Sequence, residues 1–303
     1  MRRVAVVGVG RQGAKTVQAA AGDSAAAVHK IYVNAPNSDI FCDGSDIMIP
    51  FSYEMGAWSP EYPLKVWFSE PDHLEMLDSL FRNEDIIVIC AGLGGIMSLA
   101  AKHLILYLKE CYPQKTVYFA GTIPFREESD YLCNFLCGKM MDFLRGDIVP
   151  YTILENRIVR AFYQQYEKAY DRSCRYLAKI VEGFVSISAR VENQDLKDFL
   201  GRGLVFYNEL TISGAKLQEN QESIMSYDAE GTGVFGVILA RELNMAVFQD
   251  TSRIWEQFED RYGSIEGRFE EEKTIDRDKI LVRVVARGTE NRGRGLRIRT
   301  LQI

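Results

Sequence analysis

The segment ARVENQDLKDFLG places three side chains of catalytic type close together, namely Asn193, Asp195 and Asp198. The two carboxylates are three residues apart, so on a helix they lie on the same face, where they can orient a water molecule or contact a cation. The same residues also suit a helix N-terminus, because an N-cap residue and first-turn acids are stabilised there by free N–H groups and by the helix dipole. Spacing alone leaves both interpretations open.

Glycine clusters follow two apolar runs of the chain. GVGRQG, with Gly8, Gly10 and Gly13, directly follows the first run and opens a helical segment, which matches the GxGxxG fingerprint of dinucleotide-binding proteins. ICAGLGG ends a later run with Gly94 and Gly95, whose backbone N–H groups could hold a phosphate. For the first motif, a second interpretation is that the glycines serve only a tight turn and helix packing.

Three further positions could contribute to a ligand site. Asn34 ends the run KIYVNA, where a Rossmann dinucleotide site would have an acidic residue. The segment AGTIPFREES follows another predicted strand end. Tyr170 could offer a flat face to a base, although an aromatic residue on a long helix is more often part of the core.

The elements that must position these residues alternate between apolar strands and helical segments. This order predicts an α/β fold with a doubly wound, mostly parallel sheet, in which ligands bind at the carboxyl ends of the strands. A long central helix is expected from Arg157 to about Val185, and a smaller α+β domain begins near Gly231. The predicted domains are 1–185, the nucleotide-binding part with the central helix; 186–230, a catalytic-type loop and connecting helix; and 231–303, the C-terminal α+β domain.

Composition narrows the class of protein. The chain has 303 residues and a formal net charge of -6, which argues against a nucleic-acid partner. No apolar run is long enough for a membrane span, and MRRVAVVGVG looks like a strand and glycine turn rather than a cleavable signal. Six cysteines without a CxxC pair, and only three histidines, predict reduced thiols and no metal site built from protein side chains. We therefore expect a cytoplasmic protein.

The order and spacing of the motifs resemble the FtsZ/tubulin superfamily, from Val4 to about Glu290. GVGRQGAKTV resembles that family's first nucleotide loop, YVNAPNSDI its second and MGAWSPEYPLKVW its third. AGTIPFREES is similar to its Thr-x-Pro-Phe-x-x-Glu loop, ILENRIV to its Asn-Asp-Arg loop and AYDRSCRYLAKIVEGF to its central helix. NQDLKDFL matches its N-x-D-x-x-D catalytic loop completely.

The resemblance implies a tubulin/FtsZ-like GTPase fold that binds GTP or GDP, with Mg²⁺ as the ion that accompanies the nucleotide, and assembles head to tail into a homopolymer. Glu128 would lie at the ribose and Tyr170 would stack on guanine. Asn193, Asp195 and Asp198 would act on the nucleotide of the next subunit. The positions that would contact nucleotide are Gly8, Gly10, Gln12, Gly13, Asn34, Gly56, Ala57, Gly94, Gly95, Ser98, Pro124, Glu128, Asn156, Arg157, Tyr170 and Cys174.

Three departures from the family pattern concern the phosphates and the base. The family's fourth loop is a glycine-rich run around the β- and γ-phosphates, whereas this chain continues from Gly95 with Ile96 and Met97, leaving Ser98 as the hydroxyl. Cys174 stands where an acid or amide reads guanine, and a thiol is a poor partner for the N–H groups of that base. Asp130 and the residue after it stand where an arginine is expected.

The leading hypothesis is a divergent FtsZ-like cytoskeletal protein, of the cell-division type, with weak or altered GTP binding and hydrolysis. A second hypothesis is a non-enzymatic pseudo-GTPase that acts as an interaction or regulatory module. A third is a Rossmann-type oxidoreductase. The side chains of Ile96 and Met97 distinguish two outcomes for the fourth loop. If nucleotide binds, they should point away from the phosphates, and if binding is lost, they should fill the space that the phosphates would occupy.

Overall fold

The structure is a computed structural model, and it describes residues 2–20, 26–35, 45–49, 61–146, 148–190, 193–200, 203–213, 216–219, 234–240, 265–272 and 279–287. The chain divides into two compact units, Met1–Lys197 and Asp198–Ile303. Each unit contains its own set of paired strands, described separately below. The domain boundaries expected from the sequence remain predictions.

The first unit is built on a parallel sheet of six strands, as the alternating pattern predicted. Their spatial order is β6-β5-β4-β1-β2-β3. The central strands are buried along nearly their whole length, which is why they read as continuous apolar runs in the sequence. The strands are β1 Arg2–Val9, β2 Ala26–Asn34, β3 Ser45–Met48, β4 Ile86–Gly92, β5 Thr116–Ile123 and β6 Pro150–Glu155.

Helices connect these strands and cover the sheet. In the sheet, β1 lies between β2 and β4, and the connections β1–α1–β2 and β4–α4–β5 run in opposite directions across the sheet. Right-handed crossovers therefore place α1 and α4 on opposite faces. Helix α1 packs against α7, and α4 packs against α2 and α5. The helices are α1 Gly10–Ala19, α2 Tyr62–Trp67, α3 Pro71–Phe81, α4 Met97–Cys111, α5 Tyr131–Arg145, α6 Asn156–Phe162, α7 Tyr166–Arg190 and α8 Asn193–Leu200, with a 3₁₀ turn at Arg126–Glu128.

The predicted long helix from Arg157 is wrong at its start, because two helices occupy this stretch. Helix α6 ends at Phe162 and α7 begins at Tyr166. The Arg160 guanidinium donates hydrogen bonds to the carbonyls of Tyr163 and Gln164, in the turn between the two helices. These bonds stabilise the break, since the turn carbonyls accept from a side chain instead of from a continuing helix. Helix α7 keeps the predicted central position, and its Phe184 ring stacks on Tyr118 of β5 at 4.0 Å.

The second unit contains a mixed sheet, as expected for an α+β domain. Strand β11 Lys279–Arg287 pairs antiparallel with both β7 Gly203–Ser213 and β9 Val234–Ala240. Strand β9 pairs in parallel with β10 Ile265–Glu272, and β8 Lys216–Glu219 pairs with β7. The pattern-based interpretation did not find β7 and β8, which lie where a connecting helix was expected. Within the α+β domain expected from Gly231, the sequence pattern also predicts a strand at MAVFQD and a helix at SRIWEQFEDRYG, and both segments lie outside the described residues.

Candidate functional site

The loops that follow β1, β4 and β5 surround a cavity of about 470 Å³ at the carboxyl edge of the parallel sheet. This is the edge at which doubly wound sheets bind ligands, and the volume falls within the range of small-molecule sites. Residues of α5 and α7 complete the wall. Of the positions predicted from the sequence, those that line the cavity are Gly10, Gln12, Gly94, Gly95, Pro124, Glu128 and Tyr170.

The three glycines of the first loop have different roles. A methyl group on Gly13 would lie 2.1 Å from the Cys90 carbonyl oxygen, so this glycine allows α1 to lie directly on β4. A methyl group on Gly8 would lie 2.7 Å from the Gly13 carbonyl oxygen, so Gly8 allows the same close packing. Only Gly10 lines the cavity, and its φ of 68° lies in the left-handed region that favours glycine. The packing interpretation therefore applies to Gly8 and Gly13, and a ligand contact at Gly10 stays a prediction.

Gln12 is held by a chain of polar groups that reaches back to α6. Its Nε2 donates to the Ser173 hydroxyl at 3.3 Å, and that hydroxyl donates to Oδ1 of Asn156, which is 0% exposed. The side-chain oxygen Oε1 of Gln12 lies against Gly92, because a methyl group added to Gly92 would stand 2.8 Å from this oxygen. Asn156 therefore contributes by orienting Gln12 and does not itself line the cavity.

Hydrogen bonds within the turn before α4 occupy some of the groups that could otherwise bind a ligand. The backbone N–H and the hydroxyl of Ser98 both donate to the Gly95 carbonyl, at 2.9 and 2.7 Å, and the Leu99 N–H donates to the Ile96 carbonyl at 3.0 Å. Ser98 is buried and does not line the cavity. An anion at this helix terminus would have to be bound by the earlier amides, those of Gly94 to Met97.

Ile96 and Met97 both line the cavity. The Met97 side chain lies beside Gly10, because a methyl group on Gly10 would be 2.9 Å from the Met97 Cβ. Glycine at these two positions would leave more of the volume open. Which of the two outcomes considered for the loop applies to a bound nucleotide stays a prediction.

Glu128 is positioned by the loop after β5. Its Oε2 accepts from the Phe125 N–H at 2.9 Å, and its Oε1 accepts from the Tyr166 hydroxyl. Burial, together with this carboxylate, raises the pKa of the Tyr166 phenol above its ordinary value. Asp130, which also lines the cavity, caps α5 by accepting from the Cys133 N–H at 2.7 Å.

Two tyrosine rings, those of Tyr166 and Tyr170, line the site, and the buried ring of Phe125 packs against both of them. Phe125 lies 5.3 Å from Tyr166 and 6.3 Å from Tyr170 between ring centroids, and the two tyrosines are 6.1 Å apart. Two cations lie over the Tyr170 ring, Arg11 at 5.9 Å and Lys15 at 5.0 Å. Burial is the main cause that raises the pKa of the Tyr170 phenol, so the ring stays neutral and able to stack.

Two predicted ligand contacts are buried away from the cavity. Cys174 is 3% exposed, does not line the cavity, and has a pKa raised to about 12 by burial. Asn34 is 1% exposed at the end of β2, and its carbonyl accepts from the Ile49 N–H at 2.9 Å. The next residue, Ala35, lines the cavity instead. The structure therefore gives no position from which Cys174 could read a base.

Some predicted positions cannot be placed in the site. Gly56 and Ala57 lie outside the described residues. The backbone of Arg157 belongs to α6, and that of Asn193, Asp195 and Asp198 belongs to α8, while the side chains of these four residues lie outside the described part of the structure.

Among the lining residues that sequence reasoning did not name as contacts, three have polar side chains that matter below. Arg11 follows Gly10 directly, Tyr166 lies one helical turn before Tyr170, and Thr122 precedes Pro124 by two residues at the end of β5. Arg11 could have been noted as a cation inside a glycine loop, and Thr122 as the first residue of the Thr-x-Pro-Phe-x-x-Glu pattern. Nothing in the local sequence marks Tyr166, because its inclusion depends on how α7 packs.

No family model and no curated protein matches the chain. Among solved structures, it is similar to an empty FtsZ dimer from M. jannaschii, with 16% identity, a TM-score of 0.75, and coverage of 100% of this chain and 94% of that one. A GTPγS-bound protofilament of CetZ2 from Haloferax volcanii has 16% identity, a TM-score of 0.73, and coverage of 96% and 94%. A GTPγS-form protofilament of TubZ from Bacillus thuringiensis serovar israelensis has 16% identity, a TM-score of 0.65, and coverage of 95% and 86%.

Proposed function

We propose, from the premise that this chain has the tubulin/FtsZ fold, that it is a nucleotide-binding protein of cytoskeletal type. It would associate head to tail with copies of itself, and its binding and hydrolysis of GTP would be weak or altered. The observation that carries this proposal is that Gly10, Glu128 and Tyr170, from three separate sequence motifs, line one cavity.

The cavity provides a partner for each part of a nucleotide. The Tyr170 and Tyr166 rings form a wall on which a base can stack, and the Glu128 carboxylate can accept hydrogen bonds from ribose hydroxyls. Gly10 and Gly95 leave the backbone accessible for a phosphate. GTP and GDP are proposed because two of the similar structures are described as GTPγS forms.

Weak binding follows from the turn before α4. The Ser98 hydroxyl is committed to Gly95, and the Met97 side chain adjoins Gly10. Each charged hydrogen bond that phosphate oxygens fail to make costs about 1.5 to 3 kcal/mol. Hydrolysis by this site is accordingly expected to be slow.

Mg²⁺ would come with the nucleotide and not from a protein cage. Among the described residues there is no group of three or more His, Cys, Asp and Glu side chains placed to hold a metal ion. Among the described lining residues, the carboxylates are those of Glu128 and Asp130, each of which already accepts a hydrogen bond. Phosphate oxygens would therefore supply part of the ion's coordination, as is usual for this cation.

Head-to-tail association is proposed through α8. Asp195 and Asp198 are three residues apart on this helix, so their backbone positions share one face. The similar structures include a dimer and protofilaments, which supports a homopolymer. In the described part of the chain, no helix is both long and apolar enough to cross a membrane. A cytoplasmic location and a role in cell division stay predictions.

The second candidate is a non-enzymatic interaction module, and the same Met97–Gly10 contact favours it. The Rossmann oxidoreductase hypothesis has less support. The order of the parallel strands is compatible with it, but Asn34 is buried at the position of the ribose acid and the similar structures are of the tubulin type.

Calorimetry with GTP and Mg²⁺, followed by phosphate release at several protein concentrations, tests the proposal. We expect measurable binding, loss of at least tenfold in affinity for Glu128→Ala, and turnover that rises with protein concentration. Glu127→Ala is the matched control, because Glu127 is adjacent but pairs with Arg160 outside the cavity. No heat at millimolar nucleotide would reject the nucleotide site and leave the interaction module.

A further inference from the structure

We infer that the cavity selects a nucleoside monophosphate over a triphosphate, and that Arg11 binds its single phosphate. This inference rests on the proposed function, since it names the nucleotide that the proposed site would take. It is drawn from the apolar character of one side of the cavity, from the charges of its lining, and from two polar groups that have no hydrogen-bond or ion-pair partner among the described residues.

The side of the cavity next to the α4 turn is apolar. Ile96 and Met97 of the turn line the cavity together with three residues of α5. These three residues are Leu132, Cys133 and Leu136. Phosphate oxygens placed there would lose water without gaining donors, and burial of uncompensated charge is strongly unfavourable. A chain of three phosphates that extended from Gly10 toward this side would meet these side chains, whereas a single phosphate beside Arg11 would not.

The charges of the lining also disfavour a triphosphate. Among the described residues that line the cavity, Arg11 is the one cation, while Glu128 and Asp130 are both acidic. Lys15 does not add to the positive charge of the lining, because it lies outside the cavity and pairs with Asp171 at 3.3 Å. Repulsion by this set grows with the negative charge of the ligand, so a single phosphate, with a charge of about -1.5 to -2, would be repelled less than a triphosphate and could pair with Arg11.

Arg11 is available for such a ligand. Its guanidinium lies 5.9 Å from the Tyr170 ring centre, and among the described residues it makes no hydrogen bond or ion pair. A guanidinium provides several donors in a fork that suits phosphate oxygens. The position beside the proposed base-stacking ring would place the phosphate within reach of a nucleoside held on that ring.

Thr122 supplies a second, independent indication of a ligand. It is 0% exposed and lines the cavity, and its hydroxyl has no hydrogen-bond partner within the described part of the chain. A buried hydroxyl without a partner is unfavourable, so a bound polar group that reached it would remove that cost. An apolar ligand would leave both Thr122 and Arg11 without partners.

The test is calorimetric titration of the full chain with guanosine, GMP, GDP and GTP, each with and without Mg²⁺. We expect GMP to bind most tightly and GTP to bind at least tenfold more weakly than GMP, in both conditions. If GTP binds more tightly than GMP, the inference is wrong and the proposed nucleotide site stands. If none of the four ligands binds, the proposed function itself is wrong.

Arg11→Met and Lys15→Met form a matched pair, since each removes one cation of α1 near Tyr170 and only Arg11 lines the cavity. Arg11→Met should weaken GMP binding by about tenfold or more and change guanosine binding by less than about twofold. Lys15→Met should leave GMP binding within about twofold of wild type. Equal loss for GMP and guanosine, or no loss for GMP, in a folded Arg11→Met protein would overturn the role of Arg11.

Discussion

Met97 lies against Gly10, so that a methyl group on Gly10 would stand 2.9 Å from the Met97 Cβ. This contact joins the turn before α4 to the start of α1, and it closes the part of the cavity where a glycine-rich loop would leave room. In the proposed function, this contact is the feature that would most directly limit the binding of a long phosphate chain.

Replacing both apolar residues of this turn should shift the site toward GTP. In the variant Ile96→Gly with Met97→Thr, removal of two side chains from the cavity should raise GTP affinity by about tenfold while GMP affinity changes less. Calorimetry with both nucleotides measures the shift. Leu106→Thr is the control, because Leu106 is exposed on α4, the helix that follows this turn, and does not line the cavity. An unchanged ratio of GTP to GMP affinity would mean that the turn is not the limiting element.

Gly94 and Gly95 should differ sharply in their tolerance of alanine. A methyl group on Gly94 would lie 2.3 Å from the Cys133 Sγ and 2.4 Å from Pro124 Cγ, whereas one on Gly95 would meet nothing within 4 Å. Gly94→Ala should therefore lower the free energy of unfolding by about 1 to 3 kcal/mol, as overpacking does. Gly95→Ala should change it by less than about 0.5 kcal/mol. Urea denaturation of both variants decides the point, and equal stability would contradict the packing role of Gly94.

Charge reversal on α8 should affect assembly and not folding. If Asp198 completes the site of a neighbouring copy, Asp198→Arg should abolish nucleotide-dependent association seen in sedimentation velocity, while the melting temperature stays close to that of wild type. Glu110→Lys reverses an exposed charge at the end of α4 and is the control for net charge. A large fall in melting temperature for Asp198→Arg would support the alternative in which these acids only stabilise the start of a helix.

The stability of the protein should depend on Cys174 at alkaline pH. Burial raises the pKa of this thiol from 9.0 to about 12, so between these values the unfolded chain loses the proton and the folded chain keeps it. Because the folded state then holds more protons, the free energy of unfolding falls as pH rises, by at most about 1.4 kcal/mol per pH unit for one group.

Comparison of wild type with Cys174→Ala between pH 8 and 11 isolates this contribution from that of the tyrosines. The decline in unfolding free energy should be less steep in the variant. The same burial predicts slow alkylation of Cys174 in the native protein at pH 8, compared with the exposed Cys111. Rapid labelling of Cys174 would show that it reaches solvent through the cavity.

Much of the fold could be predicted because the relevant signals are local. The parallel strands are buried on both faces, so β1, β4 and β5 appear as uninterrupted apolar runs that end in glycine or in a proline loop. Strands β7 and β8 were missed, because GLVFYNELTIS alternates only in part and pairs with residues more than sixty positions away. The break between α6 and α7 was also missed, since it depends on a hydrogen bond from Arg160 and not on a proline or glycine.

For the site, the sequence determined which loops meet, since motifs at the carboxyl ends of neighbouring parallel strands must converge. Gly10 could thus be named without coordinates, and the resemblance of the motifs to the FtsZ/tubulin superfamily named Glu128 and Tyr170. Only the tertiary structure decided which groups remain available to a ligand. The Ser98 hydroxyl donates to the Gly95 carbonyl, Cys174 is buried away from the cavity, and Arg11 has no ion-pair partner among the described residues. The first of these depends on the local conformation of the turn, and the other two depend on distances between elements far apart in the chain, which spacing along a sequence does not record.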